Sequence, residues 1–464
     1  MSPFRHDRVS LPAPTLDTLI RGGVVVSSSG SHSESRVLEA DVLVRGATLH
    51  AILPRGEGAS REALRPLTRV LDAMGCAVIP GFVQAHVHLC QALFRGMADD
   101  LPLLDWLRRR IWPLEAAHDE ASLAASAELG LAEMLLAGTT TILDMGTVHH
   151  HDAVMAACLA SGIRAISGKA MMDAGNGVPQ GLRETTAESL RDSERLCREW
   201  SGKGGGRIGY GFAPRFVLSC SEALVRGAVE RARAMGALVH THAAEHPSER
   251  EAVRRELGDD DVAILRRWGV AGERAVLAHG TQLTDEEARI LAEEGSRIVH
   301  CPSANLKLGS GIARVSDLDR AGVALALGAD GAPCNNTMDP WTELRHAALL
   351  AKVRSGPTTL PAERAFRLAT IDGARALGLD AITGSLEVGK RADLVVVRLD
   401  GVHAVPGGDV FSKLVYACGA RDVVDVMVDG ELLVRRGELT RVDAARVAAR
   451  ARERARDLVG RAAS

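Results

Sequence analysis

Two histidines, His86 and His88, stand two residues apart at the end of an apolar stretch that begins at Val78. Alternate side chains of a β-strand point to the same face, so both imidazoles are expected to leave one face together, where the strand gives way to a loop. Two nitrogen donors at this spacing can hold one metal ion. Such pairs are common, and it is the rest of the chain that makes this pair informative.

Three further apolar runs end in residues that can bind a metal or carry a proton. These residues are His242 and Glu245 after the first run, His279 after the second and Asp330 after the third. Chance would scatter such residues over both ends and both faces of the strands. The pattern therefore indicates one site that is built from the ends of four strands.

Strand-like and amphipathic helical stretches alternate through the middle of the chain. The strand-like runs lie near residues 79–85, 139–143, 163–168, 207–212, 237–241, 274–278, 297–300 and 323–328. Helical periodicity is clear over 122–136 and 221–235. This count predicts an α/β fold with a (β/α)8 TIM-like barrel, in which the C-terminal ends of the strands converge on one face. The histidines and Asp330 all stand at such ends.

The two ends of the chain differ from the middle in sequence pattern. They have short runs of β-forming residues between Gly and Ser turns. We expect the two end segments to pack together as one small β-sandwich. The predicted division is 1–78 for the first part of the sandwich, 79–382 for the barrel, 383–440 for the second part of the sandwich and 441–464 for a C-terminal helix.

Composition narrows the class of protein. The chain has 464 residues, 46% of them hydrophobic and 25% charged, with a formal net charge of -3. That balance is typical of a globular protein, and it supplies no field that would attract nucleic acid or a membrane surface. Aromatic residues make up only 3%, which argues against stacking on nucleic acid. We expect a small molecule as the partner.

The cellular setting is predicted from what the sequence lacks. Residues 1–8 contain no apolar core of a signal peptide, and no run reaches the ~18 apolar residues of a membrane span. The eight cysteines include no Cys-x-x-Cys pair, which favours reduced, mostly buried thiols. We therefore expect a cytoplasmic protein without a membrane segment. A homo-oligomer is a separate expectation.

Several motifs together carry a resemblance to a known family. They are 80–88 (PGFVQAHVH), 240–245 (HTHAAE), 300–311 (HCPSANLKLGSG) and 328–331 (GADG). The chain resembles the amidohydrolase superfamily and, within it, the aminohydrolases that deaminate purines and related rings. The stretch 93–101 with Trp106-Leu107 and Trp112-Pro113-Leu114-Glu115 is similar to the deaminases of S-adenosylhomocysteine, methylthioadenosine and 5′-deoxyadenosine.

The resemblance implies a role for each residue at the strand ends. One divalent metal, usually zinc and sometimes iron, would be bound by His86, His88, His242 and Asp330. Glu245 would donate a proton to a ring nitrogen, while His279 and Asp330 orient and deprotonate the attacking water. We expect a single metal, with Lys169 as a solvated or supporting residue rather than a carboxylated bridge.

Other histidines receive less specific predictions. His240 lies deeper on the face of His242 and is expected to pack or to support the site. His300 would either touch the substrate or make a structural hydrogen bond. The run His149-His150-His151 is expected to be a loop or the start of a helix.

The resemblance leaves more than one possibility for which residues bind the substrate and for which ring they select. In adenosine-type deaminases the glutamate that matches Glu115 binds ribose hydroxyls, although a carboxylate at a helix start is the simpler interpretation. Guanine deaminases have a Pro-Arg-Phe like that of Arg215 and a glutamine like Gln91, and s-triazine hydrolases share the latter position. Glu245 would also contact the ring that reacts.

The resemblance therefore predicts a hydrolytic deaminase of 5′-modified adenine nucleosides that releases ammonia and the inosine derivative. One alternative is a deaminase or chlorohydrolase that acts on guanine, 8-oxoguanine or s-triazine rings. An alternative from another class is a non-catalytic scaffold with the same fold.

Overall fold

The computed structural model describes residues 16–28, 35–60, 64 and 68–463. The prediction about residues 1–8 and the first part of the 1–78 segment lie outside the described residues. Nineteen strands are present in the described parts of the chain. They are β1 (Thr18–Ser28), β2 (Ser35–Arg45), β3 (Thr48–Pro54), β4 (Arg69–Asp72), β5 (Cys76–Pro80), β6 (Phe82–His88), β7 (Thr139–Met145), β8 (Arg164–Gly168), β9 (Ala170–Met171), β10 (Ile208–Pro214), β11 (Leu238–Ala243), β12 (Ala275–His279), β13 (Arg297–His300), β14 (Ala324–Leu327), β15 (Asp330–Gly331), β16 (Leu394–Arg398), β17 (Val423–Val428), β18 (Glu431–Arg435) and β19 (Glu438–Leu439).

A curled parallel sheet forms the barrel. Its strands follow the order β14-β13-β12-β11-β10-β8-β7-β6-β15, and β9 pairs with β10. Each of the eight predicted strand-like runs contains a strand of this sheet, so the predicted α/β barrel is confirmed. The first run, near 79–85, also includes the end of β5, which belongs to the other sheet. Its strands are buried on both faces, as in β6 and β7, which explains why their sequences read as continuous apolar runs.

The two edges of the curled sheet meet where β15 pairs in parallel with the end of β6. In this pairing Asp330 lies opposite Val87 and Gly331 lies opposite His88. Gly328 permits the approach, because a Cβ atom at this position would lie 2.5 Å from the carbonyl oxygen of His86. The close contact of these backbones brings a carboxylate from the last strand to the histidines of the first.

Helices cover the outside of the barrel. Those of six or more residues are Glu120–Leu136, His151–Ser161, Thr186–Trp200, Glu222–Met235, Pro247–Leu257, Asp261–Arg267, Asp285–Glu294, Pro302–Lys307, Val315–Arg320, Pro340–Ser355, Ala362–Leu368, Ile371–Ala376 and Ala444–Ala462. Both helices predicted from periodicity are present, and each begins at a side-chain cap. Asp119 accepts the backbone N–H of Ser122 at 2.7 Å, and the Ser221 hydroxyl accepts that of Leu224 at 3.1 Å.

The two ends of the chain form one mixed sheet, in the order β19-β18-β17-β16-β5-β1-β2-β3 with β4 beside β1. Antiparallel pairing of β16 with β5 joins the segments, so the two chain ends pack together as predicted; the β-sandwich expected there is one mixed sheet of nine strands. Apolar side chains from both segments share one core. The C-terminal helix packs against Glu120–Leu136, and Arg450 pairs with Glu128 at 2.8 Å.

A buried ion cluster connects this sheet to the barrel. Arg164, at the start of β8, contacts Asp393 at 2.8 Å and Asp429 at 2.6 Å. All three side chains are at most 7% exposed. Because charges this deep are costly without a partner, the cluster fixes the end sheet against the barrel.

All eight cysteines are buried and free.

Among the described residues, no helix combines the length and the apolar character that crossing a bilayer requires.

Candidate active site

Five side chains from four different strands meet at the C-terminal mouth of the barrel. They are His86, His88, His242, His279 and Asp330. The ligand atoms of His86, His88 and Asp330 all lie within 4.8 Å of one another, as do those of His86, His242 and His279. The structure thus brings the predicted metal ligands together and adds His279 to the same cluster.

Backbone carbonyls fix the tautomers of two of these imidazoles. His88 Nδ1 donates to the carbonyl of Met145, and His242 Nδ1 donates to the carbonyl of Arg215, both at 2.7 Å. Since a carbonyl can only accept, the Nε2 atom of each ring carries a lone pair. These two Nε2 atoms lie 3.2 Å apart. Two facing lone pairs repel unless a shared cation lies between them.

His86 is oriented by another histidine. Its Nδ1 lies 2.8 Å from Nε2 of His240, and its Nε2 lies 3.3 Å from Oδ1 of Asp330. Among the described residues, His86 Nε2 has no hydrogen-bond partner although it is buried. His240 therefore supports a ligand atom that is left available, which is the usual arrangement of a histidine behind a metal site.

The protonation states of these groups suit a cation. Burial lowers the pKa of His86 to about 4, against the raising effect of Asp330. Burial also lowers the pKa values of His88, His242 and His279. Burial alone would raise the pKa of Asp330, but the three nearest imidazoles hold it well below its usual value. Neutral imidazoles and one carboxylate are the donors that a zinc or iron ion prefers, so the residues fit one such cation.

The backbone at this cluster adopts sparsely populated conformations. The φ angles of Ala244, His279 and Asp330 are 50°, 77° and 63°, in the left-handed region that non-glycine residues rarely occupy. Such strain persists only where the surroundings enforce it, and it is concentrated at functional sites. It supports the assignment of a functional site here on grounds independent of the side chains.

Glu245 lies next to His279, with Oε2 at 3.4 Å from Nε2. Burial raises the pKa of Glu245 well above its usual value, and the charges of Glu249 and Asp330 raise it further. A raised pKa suits a carboxyl group to the role of proton donor. Glu249 also faces this space and accepts the backbone N–H of Glu245 at 3.0 Å.

Asn305 is a supporting residue that the sequence analysis did not identify. Its Oδ1 accepts from Nδ1 of His279 at 2.9 Å, which leaves Nε2 of His279 as a lone pair towards Glu245 and Asp330. The residue lies inside the quoted motif 300–311. Only the motif itself could have pointed to it, because nothing in the spacing assigns a partner to this amide.

A cavity opens beside these groups. Its further lining side chains are Gln91, Leu103, Trp106, Leu107, Arg215 and Phe216. Apolar and aromatic side chains with a few polar groups are typical of a site for a flat organic ring.

Three predicted substrate residues form one buried network. Arg215 contacts Glu115 through Nη1 at 2.5 Å and Nη2 at 3.0 Å, and Gln91 Nε2 donates to Glu115 at 2.8 Å. Burial would raise the pKa of Glu115, but Arg215 and Gln91 lower it, so the carboxylate is charged. Gln91 and Arg215 line the cavity, whereas the Glu115 side chain is 0% exposed and lies behind them.

Comparison with known proteins places the chain in a family. The sequence profile of the Amidohydrolase family matches residues 77–433. The chain belongs to the amidohydrolase family.

Relatives of this amidohydrolase are similar over most of its length. A 5-methylthioadenosine/S-adenosylhomocysteine deaminase from Moorella thermoacetica is 39% identical over 386 residues, covering 83% of this chain and 88% of the relative. A 5′-deoxyadenosine deaminase from Methanothermobacter thermautotrophicus is 40% identical over 371 residues, covering 80% of this chain and 84% of the relative.

Two solved structures are similar over nearly the whole amidohydrolase chain. A crystal structure of an adenosine deaminase from Xanthomonas campestris with bound zinc has a TM-score of 0.88 and 35% identity, covering 96% of this chain and 99% of that chain. Escherichia coli guanine deaminase has a TM-score of 0.83 and 28% identity, covering 90% of this chain and 100% of that chain.

The structure also places the other histidines and the lysine that the sequence analysis of this amidohydrolase singled out. His149 and His150 are exposed, and His151 begins a helix and contacts Ser167 at 3.0 Å, as the interpretation of a loop or helix start predicts. His300 is buried at the end of β13. Lys169 is buried and pairs with Glu184 at 2.5 Å, which excludes the solvated alternative; the other alternative, a supporting residue, stays a prediction.

Proposed function

We propose that this amidohydrolase is a metal-dependent deaminase of 5′-modified adenine nucleosides. The preferred substrates would be 5′-deoxyadenosine or methylthioadenosine, and S-adenosylhomocysteine is a further candidate. The reaction would release ammonia and leave the inosine derivative. The observation that carries the chemistry is the meeting of three histidines, one aspartate and a buried glutamate in one cavity. The names of the relatives support the substrate class.

Four residues would hold one divalent cation, zinc in the first place and iron in the second. They are His86, His88, His242 and Asp330. Held by these four residues, the cation would supply the Lewis acidity that makes a water nucleophilic at neutral pH. Zinc in the Xanthomonas campestris adenosine deaminase supports this proposal.

Three side chains would move the protons. The free Nε2 of His279 and the carboxylate of Asp330 can accept a proton from the attacking water and orient it. Glu245, whose pKa is raised by burial, can donate to the ring nitrogen next to the carbon under attack. The proton taken up by His279 or Asp330 can then pass to the exocyclic amine, which leaves the tetrahedral carbon as ammonia, while the new hydroxyl returns a proton to Glu245 and becomes the carbonyl.

The substrate contacts divide between the cavity and the layer behind it. Arg215 and Gln91 would contact the ring or the sugar directly. Glu115 would reach a ribose hydroxyl only if its contact with Gln91 opens, because both its oxygens are engaged. The proposal for Glu115 therefore includes a local rearrangement on binding.

A second candidate is a guanine-like ring, with 8-oxoguanine and s-triazines in the same class. The observation that favours it is Arg215 itself. A fixed cation with several donors in the cavity suits a ring that carries a carbonyl oxygen. The similarity to Escherichia coli guanine deaminase is consistent with this candidate.

An ammonia-release screen tests the proposal. It compares 5′-deoxyadenosine, methylthioadenosine, S-adenosylhomocysteine, adenosine, guanine, 8-oxoguanine and an aminotriazine at equal concentrations. We expect the largest kcat/KM for 5′-deoxyadenosine or methylthioadenosine. A larger kcat/KM for guanine than for every nucleoside would replace the first candidate with the second.

The scaffold alternative is tested by metal analysis. Bound metal near one equivalent per chain, with activity restored by zinc after chelation, supports the enzyme. Less than one equivalent, with no gain on adding zinc, supports a scaffold.

We also propose a cytoplasmic location and a homo-oligomer. Light scattering of the purified protein would measure the oligomeric state.

A further inference from the structure

The cavity lining includes a tryptophan to which no role has been given above. Trp106 ends the short helix Leu103–Trp106 and lines the cavity with Leu103 and Leu107. The turn that follows it, Leu107–Ile111, is π-helical. Single π-helical turns are rare and frequently occur at functional sites, where the extra residue changes the direction of a side chain.

The indole nitrogen of Trp106 is an unused donor. The residue is 4% exposed, and its Nε1–H has no hydrogen-bond partner among the described residues. A buried donor without a partner is costly, and buried indole nitrogens usually have one. A substrate that brings an acceptor to this position would remove the cost on binding.

Gln91 offers the complementary group. Its Nε2 donates to the carboxylate of Glu115, which can only accept, so its Oε1 must face away from Glu115. That oxygen is buried and has no partner among the described residues. Gln91 and Trp106 thus both line the cavity, and each has one buried polar atom without a partner among the described residues.

We propose that the indole N–H of Trp106 donates a hydrogen bond to a ring nitrogen of the substrate and so contributes to specificity. This inference rests on the proposed function for the identity of the ring. With Glu245 serving the ring nitrogen next to the reacting carbon, an adenine ring has two other acceptors, N3 and N7. Trp106 takes one of them, while Gln91 accepts from a donor group.

Trp112 provides a matched control. It lies six residues further along the same segment, is 3% exposed and also has an indole nitrogen without a partner among the described residues. It does not belong to the side chains that line the cavity. W106F and W112F each remove one buried N–H and keep a flat ring, so the pair separates substrate contact from general effects on the fold.

The kinetic test compares both variants with the wild type on 5′-deoxyadenosine. W106F should raise KM about threefold to tenfold, the value of one neutral hydrogen bond, with unchanged metal content and thermal unfolding. W112F should leave KM unchanged. Equal KM values for W106F and the wild type, with both folded and loaded with metal, would overturn the proposal.

Ring analogues identify the acceptor. The 3-deaza and 7-deaza forms of 5′-deoxyadenosine each replace one ring nitrogen with C–H. One of them should bind W106F and the wild type equally well. If W106F weakens the binding of both as much as that of the parent compound, a ring nitrogen is not the acceptor and the proposal fails.

A spectroscopic test does not depend on turnover. In protein labelled with 15N-tryptophan, the indole resonance that W106F removes should move downfield when 5′-deoxyinosine is added, while that of Trp112 stays in place. If no adenine nucleoside is deaminated, the proposed function fails, and the same titration with guanine still tests the donor. An unmoved Trp106 resonance in the presence of a saturating ligand would overturn the inference in either case.

Discussion

Glu115 holds the guanidinium of Arg215 with both of its carboxylate oxygens, at 2.5 and 3.0 Å, in a pair that is almost completely buried. Bidentate geometry fixes the plane of the guanidinium as well as its position. The same carboxylate fixes the amide of Gln91. One residue outside the cavity lining therefore determines which polar atoms two residues of the lining present to a ligand.

The variant E115Q tests this relationship. It replaces one acceptor with a donor and leaves the charge of Arg215 buried and unpaired, so we expect the free energy of unfolding to fall by about 3–5 kcal/mol. We expect kcat/KM to fall at least about tenfold, since more than one contact is disturbed. Urea denaturation and steady-state kinetics measure the two effects.

The control for E115Q is E128Q, which removes the charge from a pair with Arg450 whose side chains are 34% and 41% exposed. That change should cost less than about 1 kcal/mol. A loss of activity on nucleosides that spares free bases would indicate a direct contact between Glu115 and ribose. An unchanged kcat/KM for E115Q on every substrate would contradict both roles.

His240 should control metal affinity without being a ligand. The variant H240A removes the partner of His86 Nδ1, and loss of such a supporting contact typically weakens metal binding about 10- to 100-fold. Competition with a chromogenic chelator measures the affinity. H240Q, which can restore a contact to His86, should recover part of it, and H149A on the exposed loop should have no effect. Wild-type affinity in H240A would show that His86 needs no support.

Much of the barrel and of the metal cluster could be predicted from the sequence, for a physical reason. Strands that are buried on both faces leave continuous apolar runs, and the side chains that follow these runs lie at one mouth of the barrel. His86, His242 and Asp330 were assigned in this way, and the pairing of β15 with β6 brings them together.

The contacts behind the site could not be predicted in this way. Glu115 and Arg215 are 100 positions apart, and no periodicity indicates which carboxylate meets which guanidinium. Asn305 and His279 are related only through the packing of a helix over the mouth of the barrel. The sequence left Lys169 open between a solvated and a supporting residue, because its partner, Glu184, comes from a loop whose course the sequence does not specify.

Asp144 should make stability depend on pH in a defined direction. Burial raises the pKa of this carboxyl from 3.8 to about 7, against the hydrogen bonds from Ser167 and the backbone of Leu89. Between about pH 4 and 7 the folded protein therefore binds a proton that the unfolded chain has released. This stabilising contribution is complete below pH 4 and is lost as the pH rises through 7.

The variant D144N isolates that contribution, because its amide can make the same contacts as the protonated acid and does not titrate. Other buried groups titrate in both proteins, so the difference between the two is the informative quantity. We expect D144N to gain stability relative to the wild type as the pH is raised from 5 to 8, measured by urea denaturation at fixed ionic strength. A difference that does not change with pH would show that Asp144 titrates normally.

Arg164 should be required for stability rather than for chemistry. Its guanidinium makes the shortest ion pairs to Asp393 and Asp429, and it joins the start of β8 to the sheet formed by the chain ends. In R164M two buried carboxylates lose this partner, and we expect the free energy of unfolding to fall by about 3–5 kcal/mol.

Arg195 is the matched control, since it contacts three carboxylates on the surface at 41% exposure, and R195M should cost less than about 1 kcal/mol. KM of the folded R164M protein should remain that of the wild type, because none of the three residues belongs to the cavity lining. Equal stabilities for R164M and R195M would mean that the end sheet is held to the barrel by apolar packing alone.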